Sequence, residues 1–242
     1  MKLARRLVIA VFLFLMVSVV SFSASYLAIY SYVKSDSYAP TTAAPITTED
    51  KTLIVGVGGD YATIQESIDS LPKFIEHVII IEICAGEYNE DIHIDKLYGS
   101  GYLYIRPRAD DVVKVNSFDI EDCSMNLNIY IDRMEITSTI GTAVSVSMSR
   151  VTLTSLTIIT SASKCDGIRF YCATGVVHGC TISNHLYGII AEYTSSIFLN
   201  LVSGEKNVVG ICSVASTVYA TTPTVISGEI SRLAQAGGII SE

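Results

Sequence analysis

A register of glycines constrains this chain more than any other feature. Asp166-Gly167-Ile168-Arg169-Phe170, Tyr187-Gly188-Ile189-Ile190-Ala191 and Val209-Gly210-Ile211-Cys212-Ser213 align on their glycines, 21 and then 22 residues apart. Ala143-Val144-Ser145-Val146 lies 24 residues before the first of these, and Ser117-Phe118-Asp119-Ile120 lies 26 residues before that. Near the end, Gly237-Gly238-Ile239-Ile240 repeats the motif at an offset of 28. Short alternating segments at such a period mark a solenoid, in which each unit buries its apolar side only by stacking on its neighbours.

Alternation between apolar and polar residues shows which kind of solenoid. Val151-Thr152-Leu153-Thr154 and Leu156-Thr157-Ile158 have the two-residue period of strands with one face buried. Val, Ile, Thr and Ser dominate, and no long helical pattern follows Pro72. Regular leucine spacing, the mark of a leucine-rich repeat, is missing, and a globular β-sandwich leaves the glycine register unexplained. The expected fold is all-β: a right-handed parallel β-helix of roughly six or seven coils, about 30 Å tall at ~4.8 Å per coil. Asn128, Asn184 and Asn200 fall near strand ends, where left-handed turn residues are expected.

The start of the repeat has its own signature. Leu53-Ile54-Val55-Gly56-Val57 reads as a strand and Gly58-Gly59-Asp60 as a turn. Thr63-Ile64-Gln65-Glu66 has the spacing of a capping box. Ile64, Ile68 and Leu71 follow on one helical face, and Pro72 ends the helix. His77–Ile83 is an apolar strand, Gly86–Glu90 a turn, and Asp91–Ile94 and Tyr102–Ile105 further strands. The stretch from Gly58 to Pro72, the strand, and Gly-Glu-Tyr-Asn-Glu-Asp-Ile-His-Ile (86–94) together resemble the opening of pectin-lyase-like β-helix proteins. Pectin methylesterases share that opening with β-helices of bacteriophage tail, spike and minor structural proteins. The resemblance implies that a short helix, at about 61–71, caps the N-terminal end of the stack.

Ahead of this domain, expected to run over 51–242, lie two other segments. Lys2, Arg5 and Arg6 precede Leu7–Val33, which contains no charged residue. That length exceeds the ~20 residues a bilayer-spanning helix needs, and the basic flank favours an N-inside orientation. Residues 1–34 therefore read as a hydrophobic helix, an uncleaved anchor meeting the membrane through residues 7–32. Two alternatives stand: a signal peptide cleaved after Ser23, with Ser21 and Ser23 as its small residues, or a buried helix in an oligomeric attachment stalk. Residues 35–50 read as a Ser/Thr/Pro/Ala linker.

Net charge is -8, which argues against nucleic-acid binding because an acidic chain repels a phosphate backbone. Six cysteines occur without CxxC or CxxH spacing, so they read as small buried hydrophobes, with neither metal site nor cofactor implied. The esterase branch of the resemblance requires Gln-Asp-Thr-Leu-like, Asp-Phe-Ile-Phe-Gly and Gly-Arg-Pro-Trp runs. None is present, and the chain has no Trp. For a lyase or hydrolase, weak catalytic candidates are Asp166, Arg169, His178 and Glu192, with Lys164 nearby. A second charged patch comprises Asp119, Glu121, Asp122, Asp132, Arg133 and Glu135; solvated outer-face residues account equally well for both patches. His178 and His185 read as turn or surface residues, and His93 as outward-facing. Tyr171, Tyr187 and Tyr193, with Tyr219, are candidates for stacking on sugar rings. The expected function is structural or adhesive: a virion tail or spike protein, or a surface protein, binding host-surface carbohydrate. The phage branch of the resemblance implies a homotrimer. The alternatives are an anchored or exported carbohydrate-active enzyme and a membrane-anchored adhesin.

Overall fold

The computed structural model describes residues 45–160, 165–221 and 223–241. The expected anchor or signal segment, Ser21 and Ser23, most of the linker, and Lys164 lie outside the described residues. Ala44–Glu242 forms one compact unit. It is a parallel β-solenoid of about eight turns, more than the six or seven expected, because the coils before residue 117 lack the glycine that marks the later ones.

Each coil runs over three faces. Face one is a nine-stranded parallel sheet: Lys51–Val55, Val78–Ile83, Tyr102–Pro107, Asn128–Asp132, Arg150–Thr154, Thr174–His178, Ser196–Asn200, Thr217–Ala220 and Ile239–Ser241. Faces two and three share one ten-stranded sheet. In the middle coils it divides into short strands on face two (Glu135–Ile136, Thr157–Ile159, Thr181–Ser183) and longer ones on face three (Thr142–Ser147, Asp166–Tyr171, Tyr187–Glu192). At both ends single strands, such as Gly86–Asp95 and Ser203–Val214, bend across both faces. Residues 86–90, expected as a turn, belong to the first of these; a register shift between Tyr88 and Asp91 supplies the bend.

Alternation places one side of every strand in the core. Ile81, Ile105, Ile131, Leu153, Val177 and Leu199 are in register and fully buried on face one. Phe118, Val144, Ile168, Ile189 and Ile211 do the same on face three. Gly167, Gly188 and Gly210 sit one residue earlier, where the chain turns onto face three. A Cβ on Gly167 would lie 2.5 Å from the Gly188 carbonyl oxygen, and one on Gly188 would lie 2.7 Å from that of Gly210. Close stacking of the coils excludes a side chain there, which explains the glycine register. The C-terminal Gly237-Gly238 does not continue it. Ile211 pairs with Arg232, while Ile239–Ser241 pairs with Thr217–Tyr219 on face one. The offset of 28 reflects that change of face.

Corners are made by left-handed residues, and few are Gly or Asn. Lys96, Asp122, Met148, Cys172, Tyr193 and Ala215 have φ between 45° and 53° where face three passes to face one. Each donates its N–H to a carbonyl of the next coil, as from Met148 to Tyr171 (3.1 Å) and Cys172 to Glu192 (3.2 Å). Arg133, Ser155, Gly179 and Leu201 form the matching column after face one. Asn184 is left-handed as expected. Asn128 and Asn200 are ordinary strand residues, because the turn after Asn200 falls on Leu201. Ser149, Ser195 and Ser216 stitch the inner corner by accepting the N–H groups of Cys123, Ala173 and Ser195.

The helix Ile64–Asp69 closes the N-terminal end. Its capping box is complete: Thr63 Oγ1 accepts from Glu66 N–H, and Glu66 Oε2 accepts from Thr63 N–H. Glu90 accepts the first helical N–H groups, those of Ile64 and Gln65. Gln65 accepts from His93 N–H at 2.8 Å and donates to His93 C=O at 3.1 Å, so its side-chain amide stands in for one residue of a further strand. This satisfies an edge that would otherwise be free to pair. Ordered structure reaches back beyond Lys51: Ile46 bridges Phe74, and buried Thr47 accepts the Glu76 and His77 N–H groups.

Candidate functional site

Outward residues of face three stack in columns one coil apart. One column reads His93, Asp119, Ser145, Arg169, Ile190, Cys212; the next reads Asp95, Glu121, Ser147, Tyr171, Glu192, Val214. Parallel pairing thus brings residues some two dozen positions apart within side-chain reach.

Six of the seven candidate residues converge on two adjacent strands of this face, Asp166–Tyr171 and Tyr187–Glu192. The Arg169 guanidinium bonds Asp166 Oδ2 at 2.8 Å and Glu192 Oε2 at 3.1 Å. Asp166 is 7% exposed, and its Oδ1 and Arg169 Nε have no protein partner. Burial opposes the charge on Arg169. The Asp166 hydrogen bond and the two carboxylates outweigh it, so the pKa stands above the usual arginine value. Tyr187 stands close enough to contribute to that field. Tyr171 and Tyr193 are exposed at the corner beside Glu192, ring centroids 5.0 Å apart and planes at 52°. That tilt leaves ring face open to solvent.

His178 stands apart. It lies on face one, Nδ1 3.1 Å from Asn200 Nδ2. His185, expected as a surface or turn residue, is in a turn but only 1% exposed. Its Nε2 lies 3.4 Å from the Ile158 carbonyl oxygen, Nδ1 has no protein partner, and burial pushes its pKa below the usual histidine value. Nothing in the sequence distinguishes this histidine, because the corner that encloses it is built from Gly167 and residues of neighbouring coils. His93 is exposed, as expected. The second charged patch does not assemble: Asp119 and Glu121 are on face three, Glu135 on face two pairs with Lys114 at 2.9 Å, and Arg133 turns back onto Asp132 at 2.8 Å.

Tyr219 belongs to a different column. On face one, Ile80, Tyr104, Tyr130, Thr152, Val176, Phe198 and Tyr219 follow one another outward. Tyr104 and Tyr130 stack at 4.7 Å with planes 18° apart. Their faces cover each other along the coil axis, leaving edges for solvent, unlike Tyr171 and Tyr193.

Among the described residues no three His, Cys, Asp or Glu side chains converge as a metal site, and no helix is long and apolar enough to cross a membrane. All six cysteines are free; Cys123, Cys165, Cys180 and Cys212 are buried, and burial pushes the Cys180 thiol up to about 11. Fold and site together define a parallel β-solenoid protein with a polar and aromatic outer face. Compared with known protein families, with curated proteins and with solved structures, the chain matches none.

Proposed function

We propose that this chain is a non-enzymatic structural and adhesive β-helix that binds surface carbohydrate at the corner formed by Tyr171, Tyr187 and Tyr193. The observation that carries this reading is the exposed Tyr171–Tyr193 pair beside the Asp166–Arg169–Glu192 ion triad. Open aromatic faces suit the apolar side of a sugar ring. The guanidinium engages both carboxylates, which suits positioning of hydroxyl groups better than the paired free acid and base that glycoside hydrolysis requires. The stacked coils form a rigid spacer for presenting such a face. The pectin-lyase-like opening at 58–94 favours a tail or spike role in a virion; the apolar run at 7–32 favours a membrane-tethered surface adhesin.

Retention of the chain on a panel of cell-surface and plant-type polysaccharides tests the reading, with release of new chain ends followed in parallel. Retention without release is expected, and Tyr171→Ala or Tyr193→Ala should each weaken it about three- to tenfold. Time-dependent release that Asp166→Ala or Arg169→Ala abolishes would replace this reading with a lyase or hydrolase.

A further inference from the structure

A second concavity on face three lies next to the tyrosine corner and plays no part in the argument above. It encloses about 540 Å³. Asp91, His93, Ser117 and Asp119 form its floor, and Ser138, Ile140 and Ser145 are among the residues that wall it. The loop beyond Ile136 is held from both sides. Thr137 N–H bonds the Val115 carbonyl, Ser138 Oγ donates to the Ile140 carbonyl at 2.9 Å, Thr160 Oγ1 donates to the Ser138 carbonyl, and Asp166 N–H donates to the Gly141 carbonyl at 3.1 Å. That bracing leaves Ile140, 86% exposed, at the rim. A large aliphatic group held in water at the mouth of a hydroxyl-rich hollow suits a ligand with one apolar and one polar side.

Charge narrows the ligand further. No lysine or arginine lines the concavity. Ser117 Oγ donates to Asp91 Oδ1 at 2.7 Å, and His93 Nδ1 lies 3.6 Å from Asp119 Oδ2. The next cation along the column, Arg169, is neutralised by Asp166 and Glu192. The hollow therefore presents two carboxylates to whatever enters it.

We infer that this concavity binds the amine-bearing residues of a glycan, selecting cationic amino sugars over uronic acids. Asp91 and Asp119 receive the ammonium group, and the serine hydroxyls meet the ring hydroxyls. Ile140 covers the C–H face of the ring. The inference rests on the glycan-binding reading above and assigns the selectivity to a different set of residues from the tyrosine corner.

Calorimetry with the full chain at about pH 6, where a sugar amine carries its proton, provides the test. The probes are a glucosamine oligomer, its fully N-acetylated counterpart and a galacturonate oligomer of equal length. The glucosamine oligomer should bind about tenfold or more tightly than the acetylated one, and more weakly as salt rises. Asp91→Asn and Asp119→Asn, both at exposed positions, should each remove most of that preference while leaving the circular dichroism spectrum unchanged. Equal affinity for the acetylated oligomer, tighter binding of galacturonate, or indifference to both Asn variants would overturn the assignment. Glycan binding that depends on Tyr171 but not on Asp91 or Asp119 would refute this inference alone. Amine-selective binding that Asp119→Asn abolishes and Tyr171→Ala spares would uphold it and refute the tyrosine corner.

Discussion

Phe170 and Gly175 form a matched pair across the core, and exchanging their sizes should cost far less than changing either alone. Phe170 is fully buried on face three. A Cβ on Gly175, opposite on face one, would lie 2.3 Å from Phe170 Cε1 and 2.7 Å from Cζ. The ring occupies the space that a face-one side chain fills elsewhere. In the next coil the registered residues are Ala191 and Ile197, and in the previous coil Val146 and Val151. Every coil thus has one cross-section to fill and divides it differently. Phe170→Ala removes the ring and should cost about 3–5 kcal/mol. Gly175→Ile drives a branched side chain into the ring and should cost at least the ~1–3 kcal/mol typical of over-packing. The double variant reproduces the Ala191–Ile197 arrangement and should lie within about 1–2 kcal/mol of the parent, a coupling of roughly 3 kcal/mol or more. Guanidinium denaturation followed by circular dichroism measures all four species, and equal m-values license the comparison. Losses that add to within about 0.5 kcal/mol would refute the shared cross-section.

Three further perturbations probe other parts of the structure. Because burial lowers the pKa of His185, the unfolded chain binds the extra proton first. Stability should fall as pH drops below about 6.5, the unfolded value, toward the lower folded one, and His185→Gln should flatten that slope in urea titrations at several pH values. Arg169→Ala leaves the Asp166 and Glu192 carboxylates without their cation at a partly buried site and should cost about 2 kcal/mol by thermal or chemical denaturation. Leu201 is non-glycine and left-handed, with φ 54°; Leu201→Gly relieves strain of about 1–2 kcal/mol against a smaller entropic loss, so a rise in midpoint is expected and a fall would show that the corner is unstrained.

The glycine register and the alternation of Val, Ile and Thr sufficed for a parallel solenoid, since coil stacking excludes a Cβ at Gly167, Gly188 and Gly210 and buries every second strand residue. The Thr63–Glu66 capping box was equally plain, because helix capping is a local interaction. Other features were not legible, each for a physical reason. The corner columns are filled by Lys96, Asp122, Met148 and Cys172, residues with no turn signature. Their left-handed conformation is held by hydrogen bonds to the next coil, and no local preference encodes it. Asp166 and Arg169 lie three residues apart and could be paired by eye, whereas Glu192 joins them only through the register of two coils. The same holds for His93 and Asp119, 26 residues apart and 3.6 Å from each other at their polar atoms. Periodicity in the sequence determined that the chain winds and which residues face inward. Only the tertiary structure decided which outward residues meet, because one extra residue in any loop shifts every later coil against its neighbours.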